Sequence, residues 1–448
     1  MFNKILIANR GEIALRVIRA ARKLGIKTVA VYSDADRDAL HVQNADESYC
    51  IGPGSPLESY LSIPNIMSAL EISKAEAVHP GYGFLSENVS FAEICESYDI
   101  KFIGPSPRAI KLMGDKAQAR AQMQKTGVPV TPGSPAAFLS AKRAVKFIKE
   151  NTGFPVLIKA AAGGGGRGMR LVTDEKDFDI AFATARNEAE IAFGNGALYI
   201  EKYLKNPKHV EIQILGDLHG NVVHLGERDC SVQRRHQKLI EESPCSTIAP
   251  ETRKKLQNCA VTAAKAINYH NAGTFEFLLD ENGDFYFMEL NTRLQVEHGV
   301  TEMVLQVDIV EEQLRVAAGE KLGFTQEELK PYGSCLECRI NAEDPKMQFC
   351  PSPGKITTFL APGGPFVRLD TAAHQDYVIS PFYDSMIAKL LVWGRDRKEA
   401  ITRMHASLKE FQIDGIKTTI PLFIDILENN IFQSGEYGTK FLDGFLGN

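Results

Sequence analysis

The chain has 448 residues, 44% of them hydrophobic and 24% charged, the usage of a folded globular protein of about two to four domains. Disordered, collagen-like and single-module proteins are excluded. The 51 Lys and Arg against 56 Asp and Glu leave a formal net charge of −5, so no global basic excess exists to hold a nucleic-acid backbone or an anionic membrane.

No stretch approaches the ~18 apolar residues of a membrane span, and the N-terminal apolar run is too short for a signal h-region. The eight cysteines are scattered, unlike a disulfide framework, so reduced thiols in a cytoplasm are expected. Cys335 and Cys338 satisfy C-x-x-C, but no second pair stands at zinc-ribbon spacing.

In chain order, residues 4–8 read as a buried strand. Ile13, Val17, Ile18, Ala21 and Leu24 follow at helical spacing up to Gly25, and residues 28–32 form a second apolar run. This is a βαβ unit opening a parallel sheet. Residues 72–103 repeat the alternation, with Ala77-Val78, a Gly-rich turn at 79–83 and a helix from about Glu87. Pro/Gly/Ser clusters at 104–107 and 129–135 punctuate the chain, and others at 351–354 and 361–365 mark a strand-rich C-terminal part. The expected division is 1–114, an N-terminal α/β domain; 115–203, linker helices and a lid subdomain; 204–330, a catalytic core; and 331–448, a C-terminal domain.

The segment Val156-Leu157-Ile158-Lys159 precedes Gly163-Gly164-Gly165-Gly166-Arg167-Gly168, and Arg170-Leu171-Val172 looks extended again. A dinucleotide fingerprint must open a helix, and a Walker A loop needs Gly-Lys-Ser/Thr, so neither fits. A glycine loop between strands folds over a nucleotide, its bare N–H groups reaching phosphates, or is a mobile linker. Lys159 upstream supplies charge suited to a phosphate.

Phe275-Glu276-Phe277-Leu278-Leu279 and Phe285-Tyr286-Phe287-Met288-Glu289 flank Asn282-Gly283, the dipeptide favoured in two-residue type I′ hairpins. That loop places Glu276 directly opposite Glu289. With aromatic neighbours on both faces, an ionised pair is costly unless a divalent cation or a basic side chain lies between the two. Asn291 projects from the same face as a third oxygen donor. If the strand runs on, Arg293, Gln295 and Glu297 point together, a set able to bind and deprotonate a small anion. Residues 228–238 concentrate Arg228, Arg234, Arg235, His236 and Lys238, a local positive patch for an anionic substrate or else a solvated strand face.

These residues resemble the biotin carboxylase subunits of bacterial acetyl-CoA carboxylases, within the ATP-grasp fold group. The likeness runs through residues 7–14 (IANRGEIA), 79–88 (HPGYGFLSEN), the loop 163–168, Arg228-Asp229-Cys230-Ser231 and Asn291-Thr292-Arg293-Leu294-Gln295-Val296-Glu297-His298. It implies an α/β (α+β) architecture: a parallel N-terminal domain, an ATP-grasp central region with a mobile glycine-rich lid containing Gly164, Gly165 and Gly166, and a strand-rich C-terminal domain. Carried over by position, Lys116 and Lys159 match groups at the ATP phosphates. Glu201, Lys202, Tyr203 and Leu204 match the adenine lining, while His209, Gln233 and His236 match groups near ribose and base. Glu276, Glu289 and Asn291 match ligands for Mg²⁺ or Mn²⁺, with two ions expected. Lys238, Arg293, Gln295 and Val296 match the bicarbonate pocket, Glu297 the general base, and Arg339 the group facing the biotin ureido oxygen.

The resemblance further implies a carrier-bound biotin substrate, a biotin carboxyl carrier protein, carboxyltransferase subunits and a homodimer. Gly299 departs from the pattern, which usually has proline after the Glu-His pair, and loosens the turn behind Glu297. No Met-Lys-Met biotin site occurs, so biotin is expected on another protein. A service to pyruvate or another acyl-CoA carboxylase stays open, as do an ATP-grasp ligase for a different carboxylate and a nucleotide-binding regulatory subunit.

Overall fold

The computed structural model of the protein describes residues 1–161 and 169–447; Gly164, Gly165 and Gly166 lie outside the described residues. Strands β1 (Lys4–Ile7), β2 (Lys27–Tyr32), β3 (Glu47–Cys50), β4 (Ala77–His79) and β5 (Lys101–Phe102) form a parallel sheet in the order β3-β2-β1-β4-β5. Between β1 and β2 the helix Gly11–Lys23 buries Ile13, Ala14, Val17, Ile18 and Ala21, the spacing of one helical face. Gly11 enters that helix at φ +67°, a conformation a side chain would strain. Alternate residues of β1 and the position after it serve two cores: Ile5 and Ile7 pack with this helix, Leu6 and Ala8 on the opposite face. The first core also takes in Leu215, Ala272 and Leu294, which fastens the parallel sheet to the central one.

Strands β6 (Val156–Ala160), β7 (Arg170–Val172) and β8 (Leu198–Lys202) make an antiparallel sheet ordered β7-β6-β8. The extended segments expected on both sides of the glycine run are therefore present and paired. Phe178 and Phe182 close their core over Val156, Ile158, Leu198 and Ile200.

The largest sheet contains β9 (Lys208–Gly216), β10 (Val222–Arg234), β11 (Gln237–Ser243), β12 (Asn271–Leu279), β13 (Phe285–Asn291) and β14 (Ser334–Asn341), followed by the strands Met386–Gly394 and Val367–Thr371. Its order is β13-β12-β9-β10-β11-β14 and then those two, antiparallel throughout. One sheet thus runs continuously across residue 330.

One hairpin differs in detail from the sequence reading, and a second lies within the stretch read only as a basic patch or strand face. The β12–β13 pair closes at Leu279 and Phe285, and the Asp280 carboxylate accepts from the N–H groups of Asn282 and Asp284. Within that loop only Gly283 has positive φ, +83°, whereas a type I′ turn needs two such residues. A bulge between Glu276 and Phe277 then shifts the register by one, which restores Glu276 opposite Glu289. Positive φ at two successive positions occurs instead at Arg235 (+47°) and His236 (+67°), joining β10 to β11. Phe275, Phe277 and Phe287 share a single core with Leu256 and Ala260, while Tyr286 stands opposite Leu278 on the other face. The other side of β12 carries Thr274 and Glu276 between Ala272 and Leu278.

Candidate active site

The polar side of the central sheet carries a row of charges fixed by strand register. Arg228 on β10 pairs with Glu211 on β9, Glu211 with Glu276 on β12, and Glu276 with Glu289 on β13. Directly opposed carboxylates repel, and basic side chains intercalate to neutralise them. Arg228, fully buried, binds Glu211 through Nε and donates to Gln213, Thr301 and Thr274. Lys238 reaches in from β11 and spends its Nζ on three carboxylates: Glu211 Oε2 at 2.5 Å, Glu276 Oε1 at 2.9 Å and Glu297 Oε1 at 2.6 Å. The predicted basic patch is therefore divided. Arg228 and Lys238 turn into the sheet face, and Arg235 and His236 sit exposed at the hairpin tip.

Glu276 gathers further partners. His209 Nε2 lies 3.0 Å from its Oε2, and Asn291 Nδ2 donates to its Oε1 at 2.9 Å. Burial opposes ionisation of Glu276, yet Lys238 and His209 outweigh it and hold the carboxyl well below the usual carboxylate range. Glu289 is less enclosed: its side chain is 41% exposed and meets Lys116 Nζ at 3.7 Å.

The strand expected to continue past Asn291 ends there. Residues 292–297 leave the sheet, because the next segment must turn into the helix His298–Leu305. Side-chain bonds, not strand parity, keep the group together. Arg293 donates to Asn291 Oδ1 at 3.0 Å, to Gln295 Oε1 at 3.1 Å and to Glu87 Oε2 at 2.9 Å. Glu297, fully buried, holds Lys238 on one oxygen and Arg339 Nη2, at 2.7 Å, on the other. Burial would raise its pKa, but Lys238, Arg339 and Arg228 hold it well below the ordinary value. Arg339 also donates from Nε to Glu241 at 2.5 Å, and burial pushes the Glu241 carboxyl up to about 7 despite that guanidinium. Val296 faces elsewhere through its carbonyl, which accepts from Lys389.

The remaining expected residues occupy two further places. Lys159 pairs with Glu201, and Arg120 lies 3.7 Å from the same carboxylate; Lys202 is exposed beyond them, Tyr203 half-buried and Leu204 buried. Gln233 is buried on β10 directly opposite Lys238. Gly299 lies in the first turn of the helix His298–Leu305, where an added Cβ would come within 2.5 Å of Leu391 Cδ2. The glycine there makes room for a neighbour rather than loosening a turn.

Sequence reasoning missed Glu211, Glu241 and Glu87. The alternation His209, Glu211, Gln213 in an otherwise apolar strand was the available signal for the first. Glu241 and Glu87 reach the site only through tertiary packing and leave no local pattern.

As to fit for a divalent cation, Glu276, Glu289 and Asn291 sit on adjacent register positions and offer oxygen donors only, the set a hard ion takes. His209, Glu211 and Glu276 also bring ligand atoms within 4.8 Å of one another.

A parallel α/β unit, a small antiparallel sheet whose strands β6 and β7 flank a glycine-rich run in the sequence, and a large sheet whose polar face collects carboxylates and cations together define an ATP-dependent ligase of the ATP-grasp kind. Three family descriptions match successive stretches of the chain. Residues 1–110 match the biotin carboxylase N-terminal domain, 115–325 the ATP-binding domain of the carbamoyl-phosphate synthase L chain, and 337–444 the biotin carboxylase C-terminal domain. A biotin carboxylase from Nostoc sp. is 55% identical over 98% of both chains. A pyruvate carboxylase subunit from Methanothermobacter thermautotrophicus is 53% identical over 99% of this chain and 90% of that one. The crystal structure of a biotin carboxylase complex from Campylobacter jejuni superposes with a TM-score of 0.94 at 54% identity, covering 99% of each chain. The chain belongs to the biotin carboxylase family. It is accordingly an ATP-grasp ligase acting on biotin. Among the described residues no helix is long and apolar enough to cross a membrane.

Proposed function

We propose that the chain is the biotin carboxylase subunit of an acetyl-CoA carboxylase, a cytoplasmic homodimer that carboxylates biotin on a carrier protein with bicarbonate and ATP, the first step toward malonyl-CoA and fatty acids. The observation that carries the chemical reading is the convergence of Lys238 and Arg339 on Glu297. Two cations and a buried carboxylate suit a small anion that must be held and deprotonated. A sensor that only binds nucleotide has no use for them. The proposed division of the chain is 1–114, 115–203, 204–330 and 331–448, with the nucleotide between the second and third parts.

Lys116, Lys159 and the glycine run 163–168 attend the phosphates, Glu201 to Leu204 with His209, Gln233 and His236 the nucleoside. Glu276, Glu289 and Asn291 hold Mg²⁺ or Mn²⁺, which when bound offsets charge on the phosphates. Bicarbonate binds among Lys238, Arg293, Gln295 and Val296. All three Nζ donors of Lys238 face carboxylates, so an arriving anion competes with Glu211, Glu276 and Glu297 for them and weakens the hold of Lys238 on Glu297. That raises the proton affinity of Glu297, which then takes the bicarbonate proton. The resulting oxyanion attacks the γ-phosphorus, giving carboxyphosphate and ADP. Carboxyphosphate decomposes to CO₂ and phosphate, phosphate removes the ureido N–H proton while Arg339 stabilises the oxyanion that forms on biotin, and the ureido nitrogen attacks CO₂ to give carboxybiotin.

Bicarbonate-dependent ADP release distinguishes this chemistry from a ligase for a larger carboxylate. For the acceptor, the support is the resemblance to bacterial acetyl-CoA carboxylase subunits and the free-standing relative from Nostoc. The relative named for pyruvate carboxylase motivates the alternative. Incubating the purified chain with biotinylated carrier, each candidate carboxyltransferase and labelled bicarbonate decides between them: label in malonyl-CoA supports the proposal, label in oxaloacetate alone overturns it.

A further inference from the structure

Lys389 has no solvent exposure, a costly place for an ammonium unless it is paired. Strand register explains how it gets there. Arg339, Lys389 and Asp370 are direct partners across three neighbouring strands, so Lys389 points to the same side of the sheet as Arg339. Its Nζ lies 3.3 Å from Glu12 Oε1 and 4.0 Å from Asp370 Oδ2. Glu12 in turn accepts the Tyr82 hydroxyl. The remaining contact is a 2.8 Å hydrogen bond to the Val296 carbonyl, which belongs to the peptide joining Val296 to Glu297.

That peptide stands immediately ahead of the helix His298–Leu305. Helix N-termini favour anions and disfavour cations, so the helix itself gives no reason for an ammonium here. What the ammonium does is pin one peptide, with Glu12 and Asp370 supplying counter-charge. Among the described contacts, the Glu297 backbone on its N-terminal side has no other side-chain tether.

We propose that Lys389 is a positioning residue for proton transfer at Glu297: by holding the 296–297 peptide it fixes the carboxylate between Lys238 and Arg339. The inference rests on the reading of Glu297 as the base. A carboxylate displaced by about 1 Å loses on the order of 10²-fold in rate.

The test compares bicarbonate-dependent ADP release in four folded variants. Lys389→Met leaves Glu12 and Asp370 without their ammonium and is prone to misfold, so the double variant Lys389→Met/Glu12→Gln, which removes one charge of each sign, is measured beside it. Lys389→Arg keeps a donor, and Glu12→Gln alone keeps the bond to Val296. In the double variant kcat is expected to fall about 10²-fold while KM for MgATP stays within about twofold. Lys389→Arg recovers part of kcat and Glu12→Gln keeps it. A folded double variant with wild-type kcat overturns the proposal, as does Glu12→Gln losing as much as the double variant. Glu297→Gln serves as the separate control: if it releases ADP at the wild-type rate, the base assignment fails rather than the role of Lys389.

Discussion

At the scale of single residues, the two hairpin carboxylates stand in unlike surroundings and should respond differently to the same change. Glu289 is half-exposed with one distant partner, so Glu289→Gln should reduce MgATP turnover while changing stability by no more than about 0.5 kcal/mol. Glu276 is buried among Lys238, His209 and Asn291, and Glu276→Gln should lower turnover and cost about 1–3 kcal/mol as well. Urea unfolding with parallel rate measurements checks both; equal stability losses would contradict the burial argument. Lys238 offers a pH test. It holds Glu297 in the ionised form, so Lys238→Met raises the pKa of Glu297. Activity needs ionised Glu297, so the acid limb of the kcat/KM profile should move to higher pH, together with a higher KM for bicarbonate. An acid limb unmoved or shifted to lower pH would separate Lys238 from Glu297.

At the scale of elements, the helix His298–Leu305 packs on the strand Met386–Gly394, and Gly299 in its first turn lies close against Leu391. Leu391 is fully buried and has little room to yield, so Gly299→Ala is expected to destabilise by about 1–3 kcal/mol through overpacking, despite the better helix propensity of alanine. Thermal unfolding checks this, and a rise in Tm would show that Leu391 adapts. The β12–β13 hairpin shows why such detail escapes a sequence. The opposition of Glu276 and Glu289 was legible, but the observed turn sets a register one step away from that of a two-residue loop, the bulge shifts it one step back, and the two departures cancel. Turn type depends on φ angles that Asn-Gly permits without requiring. Arg235 and His236 adopt them in its place because Gln233 and Lys238 are held opposite each other by the sheet.

At the scale of the whole molecule, the parallel N-terminal sheet follows from apolar runs, which are strong where strands are buried on both faces, and the strands beside the glycine run from short extended segments with one buried side. The site was legible where several of its residues lie close together in sequence, as from Glu289 to Glu297. It was not legible where distant segments converge: Glu87 on Arg293 and Glu241 on Arg339 are contacts across 206 and 98 positions of the chain. That convergence is also what divides the reaction, since Glu297 and Arg339 touch each other yet are assigned to successive steps. The central claim is therefore tested most directly by measuring bicarbonate-dependent ADP release and biotin carboxylation in Glu297→Gln and Arg339→Ser, each confirmed as folded by circular dichroism. Loss of the base should suppress both activities together. Loss of the oxyanion donor should cost carboxylation on the order of 10²–10³-fold while leaving clearly more ADP release than Glu297→Gln. Equal abolition of ADP release in the two variants would contradict the account.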